Sequence, residues 1–188
     1  MSRRLCAQCQ RPLSVCVCSA IRRCSSKWSV TVLQDPTEAK HPLSTAPLLQ
    51  LSVEPSRLMV GDVFHPQQLF PEGLDNVALL YPLADKPALT HGQAQARKQL
   101  LVLDGTWRKV RRLLHLNPWL LQLPYIALAP EKTSDYRVRK SPRADGLSTL
   151  EATAQCLAWL EQDERFLQII SVQDELVRLQ EKYQPQRG

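Results

Sequence analysis

The sequence predicts an α/β fold with a mainly parallel sheet, and three observations lead to that class. Short apolar runs alternate along the chain with amphipathic segments of helical periodicity. The runs at residues 77–81 and 100–103 are apolar throughout, which is typical of strands buried on both faces. Hydrophobic residues make up 44% of the 188 positions, enough for one domain with a real core.

The elements expected before residue 98 follow from local side-chain patterns. Residues 28–33 alternate and are rich in strand-forming types, whereas prolines punctuate the loops. In chain order, we expect a strand at 28–33, a short helix begun by Ser44 or Thr45 and carrying residues 47–51, a strand at 57–64, a connector at 65–75, a strand at 77–81 and a polar loop with one helical turn at 83–98.

The rest of the chain holds clearer boundary signals. The Asn117-Pro118 pair interrupts a helical pattern, and Ser148 with Glu151 has the spacing of a capping box. In chain order, we expect a strand at 100–104, a helix from Thr106 to residue 116, a strand at 124–128, a helix that begins after Ser148, and a last amphipathic helix at 163–183.

Residues 99–116 combine a strand, a turn and a helix into one candidate site. The strand ends on Asp104, Gly105 permits a tight turn, and Thr106 can cap the helix. Ligands of open α/β sheets bind beyond the carboxyl ends of strands, so Asp104 occupies a position suited to chemistry. The helix has an apolar stripe of Trp107, Val110, Leu113 and Leu114 and a basic face of Arg108, Lys109, Arg111 and Arg112. The alternative is an ordinary Asp-Gly turn beside a solvated helix face.

The charge balance favours a polyanionic partner, with nucleic acid the leading candidate. The chain has 24 Lys and Arg against 18 Asp and Glu, a net charge of +6 and a pI near 9.1. A second cationic segment, within residues 134–143, can neutralise phosphates and stack a base; a plain solvated loop is the alternative. Its members are Tyr136, Arg137, Arg139, Lys140 and Arg143. Without an apolar leader or a membrane-length run, the chain is expected in the cytosol.

Four of the six cysteines form the pattern Cys6-x2-Cys9 and Cys16-x-Cys18. A reducing compartment disfavours disulfides, and thiolates at this spacing can close a tetrahedral zinc site in a segment too short for its own core. We therefore expect a zinc-binding module at residues 1–26, ahead of a main domain at 27–188. Incidental thiols are the alternative, Cys24 is a possible substitute ligand, and Cys156 is expected in the core.

Together, these motifs resemble the DTW-domain family, the tRNA-uridine aminocarboxypropyltransferases, over nearly the whole chain. Each motif is weak alone, but their order and spacing make the resemblance specific. The matching residues are the four cysteines, Pro36-x-Glu38, Thr45-Ala46, Leu80-Tyr81-Pro82, Asp104-x-Thr106-Trp107, Tyr136-Arg137-x-Arg139-Lys140 and Leu147-Ser148-Thr149-x-Glu151-Ala152. One departure is Asp35, which stands where family members commonly have His.

The resemblance implies a SPOUT-like catalytic domain, with helices on both faces of the sheet and a C-terminal trefoil knot. It also implies transfer of the 3-amino-3-carboxypropyl group of S-adenosylmethionine to N3 of a tRNA uridine, giving acp3U and methylthioadenosine. An RNA methyltransferase with the same pocket and a non-catalytic, zinc-bearing RNA-binding module are the alternatives.

Roles for individual residues follow under this resemblance. Uridine N3 holds its proton at neutral pH, so Asp104 is expected either to remove the proton, with a pKa raised by burial, or to orient it. The residues expected around S-adenosylmethionine are Leu80, Tyr81, Pro82, Leu103, Thr106, Leu147, Ser148, Thr149 and Glu151. The basic helix face and the 134–143 segment are assigned to tRNA phosphates, and the zinc module to RNA docking.

Overall fold

The computed structural model describes residues 4–83, 86–128 and 147–183. Its strands are β1 Cys24–Gln34, β2 Val53–Val60, β3 Val77–Leu80, β4 Gln99–Asp104 and β5 Tyr125–Ile126. They form one sheet in the order β2-β1-β4-β3-β5, in which each pair of neighbours runs parallel. This sheet confirms the α/β class with a mainly parallel sheet.

The helices are α1 Ala46–Ser52, α2 Pro66–Leu69, α3 His91–Ala94, α4 Trp107–Leu116, α5 Thr149–Glu161 and α6 Ser171–Tyr183. The short helix α3 is the single turn expected within 83–98. The last helix was expected as one unit at 163–183, which is wrong in detail. A 3-10 helix, Glu164–Ile170, precedes α6 and buries Phe166 and Ile169 at its tighter spacing.

Helices cover both faces of the sheet, as the resemblance implies. On one face, the strand residues Val32, Leu100 and Val102 pack in a cluster with apolar residues of α1, α5 and α6. On the other face, Leu33 and Leu101 pack with α2 and α4. Neighbouring residues of β1 and β4 therefore point to opposite clusters, which is the period of two that a strand imposes.

Two helix starts are fixed by the caps that the sequence predicts. The Thr106 side chain accepts a hydrogen bond from the Lys109 N–H and begins α4. Ser148 and Glu151 form a complete capping box at the start of α5. Because α4 begins just after β4 ends, its first turn lies at the carboxyl edge of the sheet.

The strand expected at 57–64 begins and ends four residues earlier, at Val53–Val60. Within the described sheet it is an edge strand that pairs only with β1 and is largely solvent-facing, so it contains polar residues and Pro55. Proline is tolerated at a sheet edge because one side of the strand makes no ladder hydrogen bonds. An apolar run alone was a poor guide to the bounds of such a strand.

The N-terminal module packs onto the main body of the chain. Cys9 and Val17 are buried in the same cluster as α5 and α6, and the Ser171 hydroxyl donates a hydrogen bond to the Ala20 carbonyl oxygen at 3.0 Å. Strand β1 begins at Cys24. The division of the chain at residues 26 and 27 stays a prediction.

The chain between β5 and α5 runs through residues 129–146, outside the described residues. The trefoil knot that the resemblance implies therefore stays a prediction. Among the helices of the described residues, none combines the length and apolar character that crossing a membrane requires.

Candidate active site and metal centre

A cavity of about 610 Å³ opens at the carboxyl ends of β3, β4 and β5, between the first turns of α4 and α5. Its walls include seven of the nine residues that are expected around S-adenosylmethionine, namely Leu80, Tyr81, Pro82, Leu103, Thr106, Leu147 and Thr149. The remaining wall residues are Val102, Gly105, Trp107, Val110, Ile126, Leu128 and Ala152. The lining is predominantly apolar, with few polar groups, as is usual for small-molecule sites.

Asp104 ends β4 beside this cavity and is 4% exposed. Its carboxylate accepts one hydrogen bond from the Gln34 amide, at 2.7 Å, and another from the Thr149 hydroxyl. Thr149 itself is part of the cavity wall, whereas Asp104 is not. The carboxylate is therefore one hydroxyl group away from the space where a ligand would bind.

Burial raises the pKa of Asp104 above its ordinary value because the charged form loses hydration. The hydrogen bonds from Thr149 and Gln34 oppose this effect, since both stabilise the ionised form. Glu38 raises the pKa further and Lys109 lowers it, and these two side chains form an ion pair at 2.7 Å. Asp104 is thus a stronger base than an exposed aspartate.

Gln34 is a site residue that the sequence analysis missed. It is the last residue of β1 and stands in register with Asp104 on β4. Its amide nitrogen donates to both the Asp104 carboxylate and the Ser44 hydroxyl. Sequence alone does not say which strands are neighbours, so the pairing of these two strand ends was not predictable.

Asp35, the departure from the family pattern, is buried and fully engaged. Burial would raise its pKa, but hydrogen bonds from the Thr37 hydroxyl and N–H outweigh that effect and lower it. Its other oxygen lies 3.3 Å from the Arg112 guanidinium. Asp35 is therefore an ionised anchor for the chain that follows β1.

Ser148 and Glu151 do not line the cavity. The Glu151 carboxylate accepts the Ser148 N–H at 2.9 Å, and the Ser148 hydroxyl donates to the Gln173 side chain. Both side chains are thus engaged in capping α5 and joining it to α6. Their assignment to the amino-acid part of a ligand stays a prediction.

Trp107 lies at the rim of the cavity and is 56% exposed. Of the apolar stripe expected on α4, Val110, Leu113 and Leu114 are buried, whereas Trp107 is not. The first turn of α4 lies beyond the end of β4, so the indole has no sheet to pack against. The Tyr81 ring is its neighbour, with centroids 6.1 Å apart.

The basic face of α4 divides into paired and unpaired residues. Lys109 pairs with Glu38, and Arg112 pairs with Asp35 and, at 2.6 Å, with Asp62. Arg108 and Arg111 are exposed and form no ion pair within the described ranges. The residues Tyr136, Arg137, Arg139, Lys140 and Arg143 lie outside the described residues, and their assignment to tRNA stays a prediction.

The cysteines Cys6, Cys9, Cys16 and Cys18 converge so that their sulfur atoms all lie within 4.8 Å of one another. The Cys6–Cys18 and Cys9–Cys16 sulfur pairs are 3.5 and 3.8 Å apart. A tetrahedral zinc ion with Zn–S bonds of about 2.3 Å separates its ligands by about 3.8 Å, so the cluster could hold zinc. Cys24 points instead to the Arg165 carbonyl oxygen, and Cys156 is buried in the core as expected.

Fold and site together describe an α/β protein with an apolar cavity, an adjacent buried carboxylate and a four-cysteine cluster that fits a metal. The family model of the DTW domain matches residues 3–184, and the chain therefore belongs to the DTW-domain family. The resemblance drawn from the sequence motifs is confirmed.

Curated relatives carry the name of an enzyme. The chain is 37% identical to tRNA-uridine aminocarboxypropyltransferase 2 of Drosophila melanogaster, over 85% of the chain and 67% of the fly protein. The mouse enzyme of the same name is 29% identical over 84% of the chain and 57% of its own length. Aminocarboxypropyltransferase A of Arabidopsis thaliana is 26% identical over 96% of the chain and 82% of its own length. No solved structure matches the chain.

Proposed function

We propose that the chain transfers the 3-amino-3-carboxypropyl group of S-adenosylmethionine to N3 of a tRNA uridine, giving acp3U and methylthioadenosine. The names of the relatives support the reaction class. The observation that carries the mechanism is the contact between Asp104 and Thr149, which connects a buried base to an apolar cavity.

The acceptor must lose its N3 proton before it can attack carbon. In our proposal the Thr149 hydroxyl accepts the imide proton as its own proton passes to Asp104. The N3 electron pair then forms a bond to Cγ of the donor, and the electron pair of the Cγ–S bond remains on sulfur. Methylthioadenosine leaves as a neutral thioether, and the released proton resides on Asp104.

The apolar walls favour this reaction for an electrostatic reason. The negative charge on uridine N3 and the positive charge on sulfur cancel as the bond forms, and opposite charges attract more strongly where water is excluded. Backbone around Leu80 to Pro82, Leu103 and Leu147 encloses the donor in the proposal. The walls thereby select Cγ over the methyl carbon by holding it in line with N3.

Trp107 is the proposed platform for the target base. A uridine that enters from solvent meets the exposed indole at the rim before it reaches the cavity. Aromatic side chains stack on bases that have been turned out of an RNA loop. Arg108 and Arg111 are exposed on the same helix and supply the phosphate contacts nearest to that base.

The four cysteines would hold one zinc ion. A closed four-thiolate site has no free coordination position, so the ion would supply folding stability and not chemistry. Such a site needs reduced thiols, which supports the expectation of a cytosolic location. The proposal includes the SPOUT-like knot. The knot was implied by the resemblance to the DTW-domain family, and the chain matches the model of that family.

The proposal is tested with two samples of S-adenosylmethionine, one carrying ¹³C in the methyl group and one in the aminocarboxypropyl chain. Each is incubated with protein and unmodified tRNA, and the nucleosides are analysed by mass spectrometry. We expect a new uridine derivative that carries the chain label, together with methylthioadenosine. Incorporation of the methyl label with release of S-adenosylhomocysteine would identify a methyltransferase. If no new nucleoside forms, the result would favour the alternative of a non-catalytic RNA-binding module.

A further inference from the structure

We propose that Arg11, inside the cysteine module, is a positioning residue for Asp104. A chain of hydrogen bonds leads from its guanidinium through Ser44 and Gln34 to the Asp104 carboxylate. The module thereby orders the active site in addition to any contact it makes with RNA. The kinetic part of this inference rests on the proposed function.

The first step of the chain joins the module to the segment of residues 35–45, here called the 35–45 loop. Arg11 lies between Cys9 and Cys16, and its guanidinium reaches out of the module. One terminal nitrogen donates to the Pro42 carbonyl oxygen at 2.5 Å, and the other donates to that of Ser44 at 3.1 Å.

The second step joins the 35–45 loop to Asp104. The Gln34 side-chain nitrogen donates to the Ser44 hydroxyl at 2.8 Å and to the Asp104 carboxylate at 2.7 Å. A primary amide has two N–H groups, so this nitrogen is fully used. Gln34 is 1% exposed and Ser44 6%, and water therefore has little access to replace either partner.

Arg11 is needed because the loop has little regular structure of its own. The 35–45 loop consists of turns, and the arginine fork holds two of its carbonyl groups near its end. Without the fork, the Ser44 N–H keeps its hydrogen bond to the His41 carbonyl oxygen, but the Ser44 carbonyl oxygen loses its donor. We expect the Ser44 hydroxyl then to shift away from the Gln34 amide, which loses the second acceptor that fixes its orientation. Asp104 then loses a hydrogen bond that favours its ionised form.

The other charged groups around Asp104 have partners of their own, and none of them is hydrogen-bonded to Arg11 among the described residues. Glu38 and Lys109 act on the Asp104 pKa in opposite directions and pair with each other. Asp35, whose N–H donates to the Asp104 carbonyl oxygen, pairs with Arg112. A change in Arg11 therefore reaches the carboxylate mainly through Ser44 and Gln34.

Two variants test the chain at different points. Arg11→Met removes both donors, and Ser44→Ala removes the hydroxyl while leaving the cysteine module intact. Arg22→Met is the matched control, because Arg22 is exposed and, among the residues that the structure describes, donates only to the nearby carbonyls of Ser19 and Ile21. Zinc content, thermal stability, tRNA binding, kcat, KM and the pH profile of kcat are measured for each.

We expect Arg11→Met and Ser44→Ala each to lower kcat about tenfold, as for one lost hydrogen bond to a charged group. KM for tRNA and for S-adenosylmethionine stays within about twofold of the unaltered protein. The acidic limb of kcat moves to higher pH, since loss of the Gln34 contact raises the pKa of Asp104. The double variant is no worse than the more impaired single variant, because both break one chain.

Three outcomes would overturn the inference. They are a normal kcat in both single variants, additive losses in the double variant, and an Arg11→Met protein with raised KM for tRNA but normal kcat. The last result would assign the module to RNA docking alone. If Arg11→Met loses its zinc, Ser44→Ala and its pH profile decide the question.

Failure of the proposed function is recognised separately, because the unaltered protein would then form no acp3U. The pKa of Asp104, measured by ¹³C NMR, is a readout that needs no turnover. The inference predicts a higher pKa in Arg11→Met and Ser44→Ala than in Arg22→Met, and equal values would overturn it.

Discussion

Asp35 directly follows β1, Asp104 is the last residue of the neighbouring parallel strand β4, and the Asp35 N–H donates a hydrogen bond to the Asp104 carbonyl oxygen at 3.2 Å. Despite this contact, the pKa values of the two carboxyl groups are shifted in opposite directions. The pKa of Asp104 is raised by burial, whereas the hydrogen bonds from Thr37 lower that of Asp35. A pair of acids with diverging pKa values separates a proton acceptor from a structural anion.

The anchoring role of Asp35 predicts a pH-dependent loss of stability in Asp35→Asn. A carboxyl group with a lowered pKa in the folded state stabilises the fold above its unfolded pKa, near 3.8. We expect the free energy of unfolding to fall by about 1–3 kcal/mol at pH 7. The difference shrinks as the pH drops through and below that value.

Urea unfolding at a series of pH values measures this effect. Asp62→Asn is the control, because Asp62 shares Arg112 with Asp35 but its side chain is 41% exposed. Its expected change is below about 1 kcal/mol. A pH-independent difference for Asp35→Asn would contradict the account.

Trp107→Ala tests the proposed base platform. Loss of one base–aromatic stack costs about 1–3 kcal/mol, so we expect tRNA binding to weaken by about 5-fold to 150-fold. The affinity for S-adenosylmethionine should stay unchanged, and Trp107→Phe should recover most of the tRNA affinity. Fluorescence anisotropy measures the affinity for tRNA, and calorimetry measures the affinity for S-adenosylmethionine. A selective loss of donor binding would instead place the adenine ring on the indole.

Arg108 and Arg111, for which the described part of the chain shows no ion pair, predict a difference in salt dependence. Each phosphate contact contributes about 0.7 to the slope of log affinity against log salt for a single strand. Arg108→Ala and Arg111→Ala should each reduce the slope by about this amount. Arg112→Ala should change it less, because Asp35 and Asp62 already neutralise that guanidinium. Equal changes of the slope in all three variants would contradict the prediction that the ion pairs of Arg112 keep it from binding phosphate as Arg108 and Arg111 do.

The four-cysteine cluster predicts that zinc is lost when a cysteine of the cluster is replaced and is kept when a cysteine outside the cluster is replaced. Cys9→Ala should purify with less than one zinc ion per chain and a lower Tm, because the metal replaces a core in this module. Cys24→Ala is the control, since Cys24 lies outside the cluster and points to the Arg165 carbonyl oxygen. Elemental analysis measures the metal. Full zinc content in Cys9→Ala would exclude Cys9 as a ligand.

Local patterns predicted the parts of the structure that depend on neighbouring residues in the chain. The strand before Asp104, the Thr106 cap and the Ser148 capping box are all of this kind. The cysteine spacing likewise predicted a cluster, because ligands a few residues apart need little help from the rest of the fold.

What could not be predicted depends on which strands are neighbours. Gln34 is an ordinary strand residue in the sequence, and only the pairing of β1 with β4 brings it to Asp104. The exposure of Trp107 depends on where the sheet ends beneath α4. The ion pairs of Lys109 and Arg112 join a helix to distant loops, so a basic stripe that looked uniform is half neutralised.

The central claim is that Asp104 takes the proton that uridine N3 must lose. Its most direct test is the single-turnover rate of acp3U formation by Asp104→Asn, with tRNA and S-adenosylmethionine saturating. Loss of a general base predicts a rate about 100-fold to 10,000-fold lower, with both binding constants within about twofold of the unaltered protein. A rate within about twofold of the unaltered protein would contradict the account, because no proton acceptor would then be missing.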